Sequence, residues 1–434
     1  MASPSRARLH AAWRERIGPV WKSRLAAGGG AVGVGLFAWA FAAAADSAQS
    51  LFSRLVQTWP YAPLIVTPTV FVLLAWATRR YVPAAKGSGI PQIIAAARLV
   101  ENGRTGGLVA LRTGAFKTFA TLGALLVGGS VGREGPTVQV GASIMVAAHR
   151  LLRVPVNAAV IIAGGAAGVA AAFNTPIAGV AFALEELASA YEQRLTLLVM
   201  AAVVIAGLVP LSLAGDYVYF GVVSDAIPGL RALPAALVCG VVGGLAGGLF
   251  SRVSLLLLAP TSVLGRRPML TALICGVVIA GIGVLTGLTW GTGYDAAKTL
   301  VEGQAQPLWF APAKFVSTLA SSLSGAPGGV FAPSLSVGAG VGGLLADLFP
   351  DESRSAIVLL GMIAYFVGVV RAPLTAVVII SEMTANRQMI LPLFAAAVIA
   401  DVAAGLICKQ RLYHGLAANL SRPPKAEIGQ HSDG

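Results

Sequence analysis

The sequence predicts an all-α polytopic membrane protein built from tilted, broken and re-entrant helices in two related halves. Three observations carry this expectation. Of 434 residues, 56% are hydrophobic and only 11% charged, with 52 glycines, whereas a soluble domain carries about 25% charged residues. Charge-free stretches long enough to enter a bilayer recur along the whole chain. One segment also repeats at a fixed offset. With a mean hydropathy of +0.79, these features exclude a disordered chain, a collagen and an ordinary soluble enzyme.

Residues 1–24 form a basic segment. They contain Arg6, Arg8, Arg14, Arg16, Lys22 and Arg24 against a single acid, Glu15. The far end carries Lys409, Arg411, Arg422 and Lys425. Basic residues flanking apolar spans mark the cytoplasmic side, so both termini are expected there. The net charge of +13 therefore reflects membrane orientation. A nucleic-acid surface would interleave basic and aromatic residues on a soluble module, and the sequence contains no such pattern. No cleavable signal peptide is expected, because the first apolar run starts near Leu25 and is long enough to span.

A single membrane domain is expected over residues 25–420, followed by a short cytoplasmic tail over 421–434. Charge-free runs cover 25–45, 55–78, 154–184, 195–215, 232–251, 268–294 and 315–346. An upright span needs about 20 residues. Several runs exceed that, while 118–132 and 388–400 fall short, and Gly and Pro interrupt many. Broken backbone at membrane depth is tolerated where it lines a protein interior or an aqueous path. Cys239, Cys275 and Cys408 are isolated in apolar segments and read as small core residues. The four histidines, His10, His149, His414 and His431, form no cluster in sequence, so no metal site and no cofactor are assigned.

The repeat is gapless. Lys117 aligns with Lys314 and Glu185 with Glu382, since 314 − 117 = 382 − 185 = 197. The same offset pairs Thr121 with Thr318, Pro136 with Pro333, Gly141 with Gly338, Gly164 with Gly361 and Pro176 with Pro373. The matched segments run from about 112–200 and 309–397. A two-fold repeat in a polytopic chain points to a transporter-type fold with a site where the halves meet. The repeat by itself leaves open whether the halves are parallel or inverted.

Three Gly/Pro motifs interrupt apolar stretches: Gly87-Ser88-Gly89-Ile90-Pro91, Gly132-Arg133-Glu134-Gly135-Pro136 and Gly328-Gly329-Val330-Phe331-Ala332-Pro333. Proline favours the first helical turn and glycine permits close approach before it, so each motif predicts a helix N-terminus. Such ends expose unpaired N–H groups and the positive end of the dipole. Several converging ends make an anion site without a full positive charge, which suits reversible passage. The repeat places Glu134 opposite Phe331. A carboxylate at a helix N-terminus competes there with a permeant anion, and protonation releases it. Glu185 and Glu186 point about 100° apart on a helix, so one can face the interior while the other is solvated or structural. Lys117 and Lys314 either snorkel or find a buried partner.

Together these motifs resemble the CLC family of chloride channels and chloride/proton antiporters. The stretch Phe173-Asn174-Thr175-Pro176 leading to Glu185-Glu186, and Tyr413 near the end, strengthen the resemblance. It covers roughly residues 30–415. It implies an inverted repeat, a homodimer with one anion pathway per subunit, and a location in a bacterial inner membrane. By the same resemblance, Ser88 and Tyr413 coordinate chloride through their hydroxyls, with the backbone N–H groups of Val330 and Phe331. Glu134 is then the external gate and Glu186 the internal proton-transfer residue. Both acids together favour chloride/proton antiport, with a passive glutamate-gated channel as the alternative. Ser88 favours chloride over nitrate. The absence of a CBS pair fits a short prokaryotic form. One departure stands out. Gln92-Ile93-Ile94 occupies positions where bacterial antiporters often carry acids, which leaves Lys117 without an obvious partner. An intramembrane enzyme is not supported, because neither a nucleophile–base pair in context nor an HExxH motif is present.

Overall fold

The computed structural model describes residues 6–103, 105, 107–187, 196–215, 218–259 and 261–421. Beyond Ser421 the expected tail lies outside them. The described residues form α-helices joined by tight turns. The expected division at residue 24 is not a helix boundary, because α1 runs unbroken over Arg6–Thr58. It is followed by α2 (Pro63–Tyr81), α3 (Ile90–Leu99), α4 (Leu111–Leu126), α5 (Glu134–Leu151), α6 (Ala158–Phe173) and α7 (Pro176–Phe182), which passes into a π-helical turn at Ala183–Leu187. The chain continues through α8 (Thr196–Ala214), α9 (Ala232–Leu258), the one-turn α10 (Val263–Arg266), α11 (Pro268–Thr286) and α12 (Tyr294–Val301). It ends with α13 (Phe310–Leu323), α14 (Phe331–Ala346), α15 (Arg354–Val370), α16 (Pro373–Thr384), α17 (Ile390–Ile407) and α18 (Leu412–Ser421).

Among the described residues, five helices are long and apolar enough to cross a bilayer, including Val20–Thr58, Pro268–Thr286 and Ile390–Ile407. Others, such as α6, α14, α15 and α16, are apolar but shorter. The sequence pattern explains the difference. Asn174 and Arg371 end α6 and α15 in the left-handed conformation, with φ of 56° and 63°. A proline two residues later then starts α7 and α16, which breaks each run into two shorter helices.

The halves correspond element by element. α4 matches α13, α5 matches α14, α6 matches α15, α7 matches α16 and α8 matches α17 at the expected offset. Within each half the backbones touch through glycine. A Cβ on Gly141 would lie 2.5 Å from the carbonyl oxygen of Gly164, and one on Gly361 would lie 2.3 Å from Gly342 Cα. Without a strong hydrophobic drive between helices in lipid, this close approach supplies packing.

The halves are inverted. α2 and α11 hold the same place in the two halves, separated by a single α-helix from α4 and α13 respectively, and they pack against each other in opposite directions: Pro68, early in α2, meets Gly276, while Thr78 and Arg79 at its far end lie near Leu264 and Pro268 before and at the start of α11. At the junction the two Gly residues related by the repeat form a reciprocal antiparallel bridge. The Gly132 N–H donates to the Gly329 carbonyl at 2.7 Å, and the Gly329 N–H returns to Gly132 at 2.8 Å.

Candidate functional site

The bridge brings two of the predicted helix N-termini together, since Glu134 opens α5 and Phe331 opens α14. The third joins them through a hydrogen bond from the Gly328 N–H to the Gly87 carbonyl at 3.2 Å. Gly89, at φ 112°, then turns the chain into α3, which begins Ile90-Pro91. No Cβ fits at Gly135, where it would lie 2.5 Å from Ser88 Oγ and 2.7 Å from the Ser88 carbonyl oxygen. The prolines interlock as well. Pro333 Cδ packs over Gly132, and Pro136 Cδ over its repeat partner Gly329. Three backbones held this closely direct three helix ends at one region, as the spacing of the motifs predicts.

Polar atoms collect there. Ser88, Glu134 and Tyr413 are all buried. Ser88 Oγ, Tyr413 Oη and both Glu134 carboxylate oxygens make no hydrogen bond of ordinary geometry to protein. The Tyr413 hydroxyl faces Ser88. The Glu134 carboxylate faces the backbone N–H of Glu134 itself and of Ala332 across the junction. Buried polar atoms are almost always satisfied, so a cluster of unpaired hydroxyls beside helix N-termini fits a small anion.

Val330 and Phe331 are buried at the start of α14, where the first-turn N–H groups have no intrahelical partner. The Phe331 ring is locked in place. It packs edge-on to Phe366 at 4.5 Å between centroids and lies 5.2 Å from Phe173. Arg133 does not point at the junction. Its Nη1 donates to the Ala42 carbonyl at 2.8 Å and to Asp46 at 3.0 Å, which ties the motif to α1. An open cavity of about 910 Å³ lies beside this tether, with Arg133, Asp46 and Gln49 in its lining.

The two adjacent acids separate as the helix geometry allows. Glu185 reaches across the repeat to the start of α16, accepting from the N–H groups of Leu374 and Thr375 at 3.1 and 2.8 Å and from Thr375 Oγ1 at 2.7 Å. Glu382 does the same in return, accepting from Ile177 and Ala178 at the start of α7 at 3.3 and 2.9 Å. Glu185 is therefore a structural cap. Glu186 is fully buried and meets α18. Its Oε1 lies 3.1 Å from His414 Nδ1 and its Oε2 lies 3.9 Å from Arg411 Nη1.

Lys117 finds a backbone partner rather than an acid. Fully buried, it donates to the Ala85 carbonyl at 2.9 Å. Gln139 holds the preceding carbonyl, Ala84, at 3.1 Å, and Gln92 donates to the Lys86 carbonyl. Three side chains thus fix the turn that presents Ser88. In the other half, buried Lys314 donates to Thr289 and Gly291 at 2.9 and 2.7 Å. Sequence reading missed Arg411, His414, Gln92 and Gln139 as site residues. For the first two the signal was present, since Arg411 lies two residues before Tyr413 and His414 directly after it.

The comparisons with known proteins agree with this geometry. The chain resembles, at 25% identity over 92% of its length and 98% of the other chain, the solved structure of a slow cyanobacterial Cl-/H+ antiporter, with a TM-score of 0.79. It shares its fold with a eukaryotic CLC transporter at 20% identity, over 92% of this chain and 74% of that one, with a TM-score of 0.76. It also shares its fold with a CLC-type fluoride/proton antiporter at 22% identity, covering 90% of this chain and 97% of that one, with a TM-score of 0.75. The family model described as voltage gated chloride channel matches residues 70–405. With the inverted repeat and the converging helix ends, that match over most of the length means that the chain belongs to the voltage-gated chloride channel family, the CLC fold of ion-transporting membrane proteins.

Proposed function

We propose that the protein is a secondary active transporter that exchanges chloride for protons across a bacterial plasma membrane. It works as a homodimer with one pathway per subunit and both termini in the cytoplasm. The observation that carries the reading is the junction of three helix N-termini, where Ser88 and Tyr413 present buried hydroxyls beside the buried Glu134 carboxylate.

Chloride is the substrate. Ser88 and Tyr413 donate hydroxyl hydrogens to it, and the N–H groups of Val330 and Phe331 add the dipole end of α14. Binding of this kind is firm enough to select and weak enough to release. Glu134 begins its helix at the same junction. As a carboxylate it occupies the anion's place at the helix ends. As a neutral acid it gives the place up, so each proton taken admits an anion. Glu186, buried beyond Tyr413, supplies the second protonation point on the cytoplasmic side. Two buried acids at membrane depth fit proton passage better than a purely structural role. A passive channel needs only the first.

The test is flux in liposomes containing the purified protein. A chloride gradient is expected to drive protons uphill, and chloride flux without coupled proton movement would leave the passive, Glu134-gated channel. Cross-linking in liposomes is expected to trap a dimer.

A further inference from the structure

The contact that the reading of Glu186 does not use is His414. Glu186 has no exposed surface, while the imidazole of His414 keeps 19% of its side-chain surface accessible and Arg411 keeps 40%. Among the described residues, the cationic or titratable side chains against its carboxylate are Arg411, just before α18, and His414 on α18. The Nδ1···Oε1 separation of 3.1 Å is a hydrogen-bond distance. The ring sits one residue after Tyr413, so the helix that places the anion-binding hydroxyl also places this imidazole. Among the described residues, the other charged or titratable groups facing the pair include Arg411 just before α18, Tyr413 on α18 and Glu185 from the same turn, and Glu185 is engaged at α16.

We propose that His414 is a proton-carrying residue of the transporter, passing protons between cytoplasmic water and Glu186. The proposal rests on the reading of Glu186 as the internal proton-transfer acid. An imidazole ring has two nitrogens, so it can take a proton at one and give a proton up at the other. In the step into the protein, ring Nε2 takes a proton from hydronium, which becomes water, and the ring becomes imidazolium. The Nδ1–H bond then breaks as a proton moves to Glu186 Oε1, leaving a neutral ring and a neutral carboxylic acid. The reverse step returns the proton, and no oxidant or other reactant is needed. Arg411 Nη1 lies on the other carboxylate oxygen, 3.9 Å from Oε2.

The experiment compares His414→Ala, His414→Gln and Glu186→Gln in liposomes, with proton and chloride flux measured together. Gln keeps a donor that can hold Glu186 in place but carries no proton. Proton flux is expected to fall by roughly ten-fold or more in both His414 variants, while chloride still passes and shows that the protein is folded. If His414→Gln restores coupling that His414→Ala loses, His414 only positions the acid and the proposal fails. Unchanged proton flux in both His414 variants also overturns it. If Glu186→Gln leaves proton flux intact, the reading of Glu186 itself fails, and the relay falls with it.

Discussion

The two halves of the repeat share one skeleton and differ where chemistry is expected. Glu185 and Glu382 cap each other's partner helix, and Lys117 and Lys314 are both buried on backbone carbonyls. Gly132 and Gly329 bond each other directly. At the same offset, however, Glu134 stands opposite Phe331 and Glu186 opposite Met383. Pairs kept alike across the pseudo-two-fold axis hold the fold together. Pairs that diverge put an acid in one half and an apolar side chain in the other, and that asymmetry gives an otherwise symmetric scaffold a direction.

This contrast can be broken most severely at the divergent pair. Glu134→Ala is expected to abolish proton movement while chloride flux continues, because the competing carboxylate is gone; coupled flux that survives would show that the gate lies elsewhere. Next comes Gly135→Ala. Its Cβ would meet the Ser88 carbonyl oxygen at 2.7 Å, a backbone atom that cannot step aside, so chloride binding measured by calorimetry should be lost or fall by more than about ten-fold. Gly132→Ala sharpens the same point. There the Cβ would lie 2.2 Å from Glu134 Oε2, a side-chain atom free to move. The fold should persist while the proton-to-chloride ratio changes.

The symmetric pairs should behave differently, changing stability rather than coupling. Glu185→Ala is expected to lower stability by about 1–3 kcal/mol and Glu382→Ala by somewhat less, since the first accepts three hydrogen bonds and the second two. Thermal unfolding in detergent measures this, and the proton-to-chloride ratio of the folded fraction should stay unchanged. The smallest effect is expected from Lys117→Met, which leaves one carbonyl unpaired at a cost of about 1 kcal/mol. Lys314→Met should cost more, because it leaves two. If a symmetric pair alters coupling more than Glu134 does, the division between scaffold and chemistry is wrong.

Much of the fold is legible in the sequence because its signals are local. Charge-free runs, prolines after left-handed caps and glycines before prolines each act within a few residues. A gapless repeat then doubles each of them. The three motifs, Glu134, and the pairing of Lys117 with Lys314 are readable on those grounds. The antiparallel direction of α2 and α11 is not, because inversion is a relation in space that leaves the linear order unchanged.

The same distinction holds for the partners of buried charges. The sequence by itself determined that charge is scarce, that helix ends must break the apolar runs, and that an acid begins one of those helices. Only the tertiary structure decided which of two adjacent acids is a cap and which is buried against His414, and that Lys117 is satisfied by a carbonyl 32 residues away in sequence. The physical reason is that a buried polar group is satisfied by whatever folding brings within about 3 Å of it. In this protein that partner usually comes from another helix.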